Sequence, residues 1–142
     1  MMPSYQESQA SSRELGAADD VAGIALFNHD RLLLCRRRVD LSWYPDAWDL
    51  PGAHRQHGEP AAACAVRAAR QEVNIALTNP RLLAEYCEDD FRLAVYLGMD
   101  WTGEPRNLVQ GHHEEVRLVT REEAAQLPLA DRRLLTLFDQ SG

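Results

Sequence analysis

The sequence predicts an α/β fold in which a mixed β-sheet lies between helices (α/β/α). Two apolar, β-prone runs near the start, residues 21–27 and 31–36, flank a short polar turn and indicate a hairpin. Residues 61–73 are almost all helix formers. Later strand patterns are interleaved with two shorter helical patterns, and this combination is typical of a sheet covered by helices.

Polar residues separate the elements in the first half of the chain. Residues 37–46 are expected to form a loop, and residues 47–50 a short strand that ends at a Pro-Gly pair. Residues 53–58 are a predicted loop. Pro60 suits the first turn of the following helix, and Asn74 can end that helix in a left-handed conformation.

The second half contains further strands and two helices. The predicted strands are residues 81–88, 91–99 and 115–119, and residues 102–113 form a loop. Thr120 and Glu123 fit a capping box for a short helix over residues 121–126. An amphipathic leucine pattern predicts a last helix over residues 130–138.

Length and charge limit the function classes. The 142 residues suit one domain, which we place at residues 21–142, after a polar, flexible leader at residues 1–20. A net charge of −7 argues against a general nucleic-acid backbone binder. No apolar run approaches the roughly 20 residues that cross a membrane, so no membrane partner is expected.

Cysteine usage indicates the compartment. The three cysteines form no C-x-x-C pair, which leaves zinc and redox motifs out. The leader has no apolar core of the kind found in signal peptides. Reduced thiols in a cytoplasmic protein are therefore expected.

The most informative segment is residues 48–75, WDLPGAHRQHGEPAAACAVRAARQEVNI. It resembles the Nudix box, whose pattern is Gly, five residues, Glu, seven residues, then Arg-Glu-apolar-x-Glu-Glu-x-Gly-apolar, usually preceded by W-x-L-P-G. Glu59, Arg67, Glu72 and Ile75 fall on box positions. The resemblance implies the MutT-like Nudix fold for residues 21–142.

Four box positions depart from the family pattern. Ala53 stands where the box begins with Gly, and Asn74 replaces the later Gly. Ala68 and Gln71 replace two glutamates. Ala53, Ala68 and Asn74 together argue for natural drift rather than for a change introduced to trap a complex.

The resemblance also implies a divalent metal site for Mg²⁺ or Mn²⁺ on the box helix. Positions three and four apart share a helix face, so Ala68, Gln71 and Glu72 are expected to project together. Glu72 is the expected central ligand, and Gln71 can add a carbonyl oxygen without charge. The opposite face is small and apolar and should pack on the sheet; its members are Ala62, Ala65, Ala69 and Val73.

Other residues complete the site that the resemblance implies. Glu115 matches a further family Glu that serves as metal ligand or general base, while its neighbour Glu114 is expected to face away. Ala53 is counted among the metal-site positions. Arg67 is assigned to the catalytic group, where it orients carboxylates and pairs with Glu59 or Glu72.

Several residues have weaker assignments. Gly52 and Glu59 are expected to hold the box in shape. His54, His57 and His113 could approach the cleft, although each is more often an ordinary loop histidine.

Substrate contacts are assigned to four residues. Arg36 and Arg37 can grip phosphate, or can simply be a solvated strand end. Trp43 can stack on a base. Asp131 falls near a base-reading position of the family, but we favour a helix cap for it.

The functional hypothesis is a metal-dependent Nudix hydrolase that cleaves the diphosphate linkage of a nucleoside di- or triphosphate or a related X-linked nucleoside diphosphate. The alternative is a catalytically silent Nudix-fold domain that binds a nucleotide or a partner protein. The expected partner is a small nucleoside diphosphate derivative, and a homodimer is left open.

Overall fold

The structure is a computed structural model that describes residues 20–40, 45–87, 92–98, 100–108 and 113–139. Residues 1–19 of the predicted leader, Trp43, and residues 88–91, where the predicted strands 81–88 and 91–99 meet, lie outside the described residues. Asp20, the last residue assigned to the leader, is instead the first residue of a strand.

The described residues form nine strands and three helices. The strands are β1 (Asp20–Asn28), β2 (Arg31–Arg37), β3 (Trp48–Asp49), β4 (Gly52–His54), β5 (Ala76–Thr78), β6 (Arg81–Cys87), β7 (Arg92–Gly98), β8 (Asp100–Thr102) and β9 (His113–Val119). The helices are α1 (Ala61–Val73), α2 (Arg121–Ala125) and a C-terminal 3₁₀ helix, Arg132–Asp139.

Seven of these strands form a mixed sheet, which confirms the predicted fold class. Its order is β3-β2-β1-β7-β6, with β4 also paired to β1 and β9 to β2. The β1–β7 pair is parallel and the other pairs are antiparallel. The mixed character arises because β7 returns beside β1 in the same direction.

Two apolar cores lie on the two faces of this sheet. Ala22, Ile24 and Leu26 of β1 pack with the small residues of α1, and we call this side the α1 face. The alternate residues of β1 pack on the opposite face, with α2 and the 3₁₀ helix. Because side chains alternate along a strand, each strand residue near α1 can be assigned to one face from its register.

The bounds of α1 match the predicted helix at both ends. Pro60 stands just before the first turn, and Asn74 ends the helix with φ 66°. A left-handed residue at this place lets the chain leave the helix while the last carbonyls stay hydrogen-bonded. Asn74 therefore substitutes adequately for the Gly of the family pattern.

The helix face was predicted less well. Ala65, Ala69 and Val73 are buried against the sheet as expected, but Ala68 is buried too, and Ala62 is only half-buried. At about 100° per residue, position 68 lies only about 60° from position 65. The buried face is therefore wider than the predicted stripe and includes a position that we expected at the metal.

The helical elements after β9 are partly as predicted. The capping box of Thr120 and Glu123 is present and starts α2. The last helix is a 3₁₀ helix, and it begins at Arg132 rather than at residue 130. The reason is that the chain first pairs with β3: Leu129 bridges to Trp48, and the Ala130 N–H donates to the Trp48 carbonyl at 2.9 Å.

Three strands were missed, and one began earlier than expected. Ala53 and His54 belong to β4, paired with Ala22 and Val21 of β1, where a loop was predicted. The strands β5 and β8 pair only with each other. Strands of three residues are too short to show an alternation pattern. His113 already belongs to β9, where a loop was also predicted.

No helix in the described part of the chain is long and apolar enough to cross a membrane.

Replacing Gly52 by Ala should destabilise the fold. A Cβ at this position would lie 2.7 Å from the backbone oxygen of Ala22. A backbone atom of β1 cannot move away without disturbing the strand. We expect a loss of about 1–3 kcal/mol in the free energy of unfolding, measured by chemical denaturation.

Gly23 is the matched control, since it is the register partner of Gly52 in β1. A Cβ there would make only ordinary contacts of 3.5 Å with leucine side chains. Gly23→Ala should leave stability nearly unchanged; equal losses in both variants would contradict the steric explanation.

Candidate active site

The turn between β3 and β4 brings backbone against the last turn of α1. The Gly52 N–H donates to Glu72 Oε1 at 3.2 Å. Only a glycine allows this approach, because any Cβ would press on β1. The Pro-Gly pair of the box therefore positions a backbone donor at a helix carboxylate.

Arg67 and Glu59 form a two-pronged ion pair. Arg67 Nε donates to Glu59 Oε2 at 2.8 Å, and Arg67 Nη2 donates to Glu59 Oε1 at 2.9 Å. The same guanidinium reaches the His54 carbonyl at 2.9 Å. The hydrogen bond from Arg67 lowers the pKa of Glu59 to about 2. Of the two partners expected for Arg67, Glu59 or Glu72, the structure shows Glu59, and this pair ties α1 to the loop before it.

Gln71 does not share the inner face with Glu72. Consecutive helix residues differ by about 100°, whereas Gln71 lies only about 40° from Arg67 around the axis. Its side chain is exposed, and Gln71 Oε1 accepts from Arg67 Nη1 at 3.3 Å. The expectation that Ala68, Gln71 and Glu72 project together is therefore corrected: Gln71 turns outward, and Ala68 is buried.

Glu72 lies in the middle of the buried face of α1. Burial raises the pKa of this carboxyl to about 7; the Gly52 N–H and the charge of Arg67 act in the opposite direction, and the charge of Asp49 raises it further. Its position between Ala68 and Ala69 explains the burial. Glu72 is thus a desolvated carboxylate held against the sheet.

Buried polar side chains lie on the α1 face of the sheet, and we call this part of the face the sheet floor. Three of its residues, Arg37, Asp49 and His113, are the buried polar or charged residues of the described chain, at 4–7% exposure. Asp49 pairs with Cys35, and Arg37 pairs with His113. Cys35 belongs to the core beneath α1, so all three side chains lie on the α1 face.

A short segment ties α1 to β9 beside this floor. The Leu108 N–H donates to the Glu72 carbonyl at 2.9 Å, and Asn107 Nδ2 donates to the His113 carbonyl at 2.7 Å.

The Cys35 thiol is neutral. Burial and the charges of Glu72 and Asp49 raise its pKa well above the usual value.

Glu115 lies on the opposite face of the sheet. It pairs with Arg36 in the strand register, and Arg117, two residues on, stacks over Trp48 in the opposite core. Arg117 Nη2 donates to Glu115 Oε2 at 2.8 Å, and this bond is the main reason that the pKa of Glu115 is lowered. The structure therefore does not bring Glu115 to the face that carries Glu72.

Glu114 and Arg36 belong to the same ion-pair group as Glu115. The register shifts beside Glu114, which makes it the extra residue of a β-bulge. Its carboxylate lies 3.0 Å from Arg36 Nη1, and Asp46 lies 2.7 Å from the same atom. With these carboxylates around it, Arg36 is occupied by acidic partners rather than open to phosphate.

The other predicted site residues serve local structure. Asp131 accepts from the Arg133 N–H at 2.9 Å, which confirms the cap that we favoured. The Ala53 carbonyl accepts from Cys64 Sγ at 3.4 Å. Burial lowers the pKa of His54 to about 4, so this residue is neutral near pH 7. His57 is exposed.

A family model described as the NUDIX domain matches residues 18–138. The chain belongs to the Nudix family. No curated protein matches it at a significant level. The family generally uses divalent metal ions.

Solved structures of Nudix proteins resemble this one. A MutT NUDIX hydrolase from Burkholderia pseudomallei is 25% identical, with a TM-score of 0.74 over 87% of this chain and 97% of that chain. A MutT structure from work on Aliivibrio salmonicida and Vibrio cholerae is 17% identical, with a TM-score of 0.73 over 84% and 94%. A MutT protein from Methanosarcina mazei is 19% identical, with a TM-score of 0.69 over 84% and 89%.

Sequence reasoning missed one buried acidic residue beside this turn, Asp49. The signal was present in the short strand, where Asp49 stands between Trp48 and Leu50. Both apolar neighbours pack into one core, so alternation alone sends Asp49 to the other face.

The raised pKa of Glu72 predicts a pH-dependent stability. The usual value is 4.5 and the folded value is about 7, so the folded state binds this proton more tightly. The contribution of Glu72 to stability should therefore fall as the pH rises from about 4.5 to 7, by on the order of 2 kcal/mol.

The measurement is the free energy of unfolding across this pH range, in chelator, for the natural protein and for Glu72→Gln. Subtracting the two curves removes the contribution of the other titrating groups. A difference that does not change with pH would contradict the burial of an ionisable Glu72.

Proposed function

We propose that this Nudix protein hydrolyses the diphosphate linkage of a nucleoside di- or triphosphate, or of a related X-linked nucleoside diphosphate, with Mg²⁺ or Mn²⁺. The observation that supports it best is the Glu72 carboxylate, which is desolvated and accepts from the Gly52 N–H. Burying a carboxylate is costly unless a partner compensates it, and a substrate-borne cation would do so.

The donor set fits a cation that arrives with its substrate. Within the described ranges no group of three His, Cys, Asp or Glu side chains is arranged to hold a metal ion. A closed protein cage is therefore not the expected mode. Mg²⁺ commonly binds through one or two carboxylates, with waters and substrate phosphates completing its shell. Glu72 would be the anchoring carboxylate in this arrangement.

When bound, the cation neutralises phosphate charge and lowers the pKa of a nearby water. The residues of the chain have the remaining tasks. Of the two arginines predicted to contact phosphate, Arg37 is the one that lies on the α1 face of the sheet. The Arg67–Glu59 pair keeps α1 and the preceding loop in register.

The general-base role of Glu115 stays a prediction that the geometry disfavours. Proton transfer needs a group within hydrogen-bond reach of the reacting atom or through one water. Glu115 is held by Arg36 and Arg117 on the other face. A carboxylate on the α1 face would meet the requirement more directly.

A silent nucleotide-binding domain is the second candidate. Of the three box positions expected to carry the metal-face carboxylates, Ala68 is buried, Gln71 is bound to Arg67, and only Glu72 is acidic. Low carboxylate number weakens a hard-cation site. This candidate predicts nucleotide binding without turnover.

A cytoplasmic location and a homodimer also stay predictions.

Glu72→Gln should abolish turnover while keeping the fold. The amide oxygen can still accept from the Gly52 N–H, but the charge that anchors the cation is gone. The assay is phosphate release from a panel of nucleoside diphosphate derivatives with Mg²⁺ and Mn²⁺. We expect a loss of at least about 10²-fold, comparable to the removal of an essential group.

Glu122→Gln is the matched control, because Glu122 is exposed on α2. This control and Glu115→Gln should both turn over at nearly the natural rate. Full turnover in Glu72→Gln would move the chemistry to another site. No turnover by the natural protein on any substrate, together with a nucleotide-induced rise in melting temperature, would favour the silent binder.

A further inference from the structure

We propose that Asp49 is the second carboxylate of the cation site that Glu72 anchors, and that it takes over from the carboxylates missing at positions 68 and 71. This inference rests on the proposed function, since it assumes that a divalent cation binds at Glu72. It concerns a residue outside the helix portion of the box, on the sheet rather than on α1.

The strand register sends Asp49 toward α1. Its partner in β2 is Cys35, which is fully buried in the core beneath α1. Trp48 and Leu50, on either side of it, pack into the opposite core. Residues directly paired across two strands point to the same face. Asp49 is therefore a sheet carboxylate turned to the helix that carries Glu72.

A single turn of backbone holds both carboxylates. Asp49 Oδ1 accepts from the Leu50 N–H at 2.8 Å, and Glu72 Oε1 accepts from the Gly52 N–H at 3.2 Å. The two donors are two residues apart in the same segment. Because backbone N–H groups hydrogen-bond to both carboxylates, the backbone of this segment fixes the relative position of the two acids.

The two acids are close enough to interact electrostatically. The charge of Asp49 is among the causes that raise the pKa of Glu72, and both charges act on Cys35. Two like charges in a desolvated place repel strongly. The charge of Arg67 offsets part of this at Glu72, while a divalent cation between the acids would convert repulsion into attraction.

A purely structural role for Asp49 gives a different expectation. If Asp49 served only to cap the Leu50 N–H, its removal would affect folding and not cation binding. Asp49→Asn separates the two roles, because the amide oxygen still accepts from the Leu50 N–H while the negative charge is lost.

The test measures Mn²⁺ binding to the full chain in the presence of a non-hydrolysable, methylene-bridged nucleoside diphosphate. Electron paramagnetic resonance reports the free Mn²⁺ directly and does not depend on turnover. We expect Asp49→Asn to weaken Mn²⁺ binding at least about tenfold, since charge count tunes such sites. Asp100→Asn, at an exposed position on β8, is the control and should bind as the natural protein does.

Three outcomes would overturn the proposal. If Glu72→Gln loses Mn²⁺ but Asp49→Asn keeps it, Asp49 is not a ligand, while the proposed function stands. If the natural protein binds no Mn²⁺ with the nucleotide, the proposed function fails and this inference fails with it. If Asp49→Asn lowers the melting temperature in chelator by more than about 5 °C, its role is structural.

Discussion

The close packing of α1 on the sheet is the constraint on which the rest of the site depends. Alanines at 65, 68 and 69 let the helix approach the sheet, and all three are essentially fully buried. Glu72 lies on the same helix face and therefore also points toward the sheet. Its carboxylate meets the Gly52 N–H because Gly52 itself has no side chain to hold the turn away. Small residues on the helix and a glycine in the turn thus create a half-buried, desolvated carboxylate.

Alternation along the strands then distributes polar groups between two unlike sides of the sheet. On the α1 face, Asp49, Arg37 and His113 are buried. On the opposite face, Arg36 forms ion pairs with Glu115 and other acidic residues in a partly exposed group. Exposed pairs of this kind contribute little stability, whereas buried charges strongly affect one another. The proposed chemistry therefore uses the α1 face.

The sequence predicted the larger elements well, since the hairpin, α1 and its end at Asn74 depend on local signals that are read within a few residues. It did not predict β4, β5 or β8, because each is three residues long, too short to show a pattern, and exists only because a neighbour pairs with it. In the site, the box spacing predicted that Arg67 pairs with Glu59 or Glu72, and the structure shows the pair with Glu59. It failed for Gln71 and Ala68, because helix spacing alone does not say which way a face points until the packing is known.

The most direct test of this account is a crystal structure with Mn²⁺ and a non-hydrolysable nucleoside diphosphate analogue, with the metal located by its anomalous scattering. The account predicts an anomalous peak on the α1 face, about 2.1 Å from a carboxylate oxygen of Glu72, with phosphate oxygens completing the shell. A nucleotide bound with its Mn²⁺ at Glu114 or Glu115, and no metal at Glu72, would contradict it.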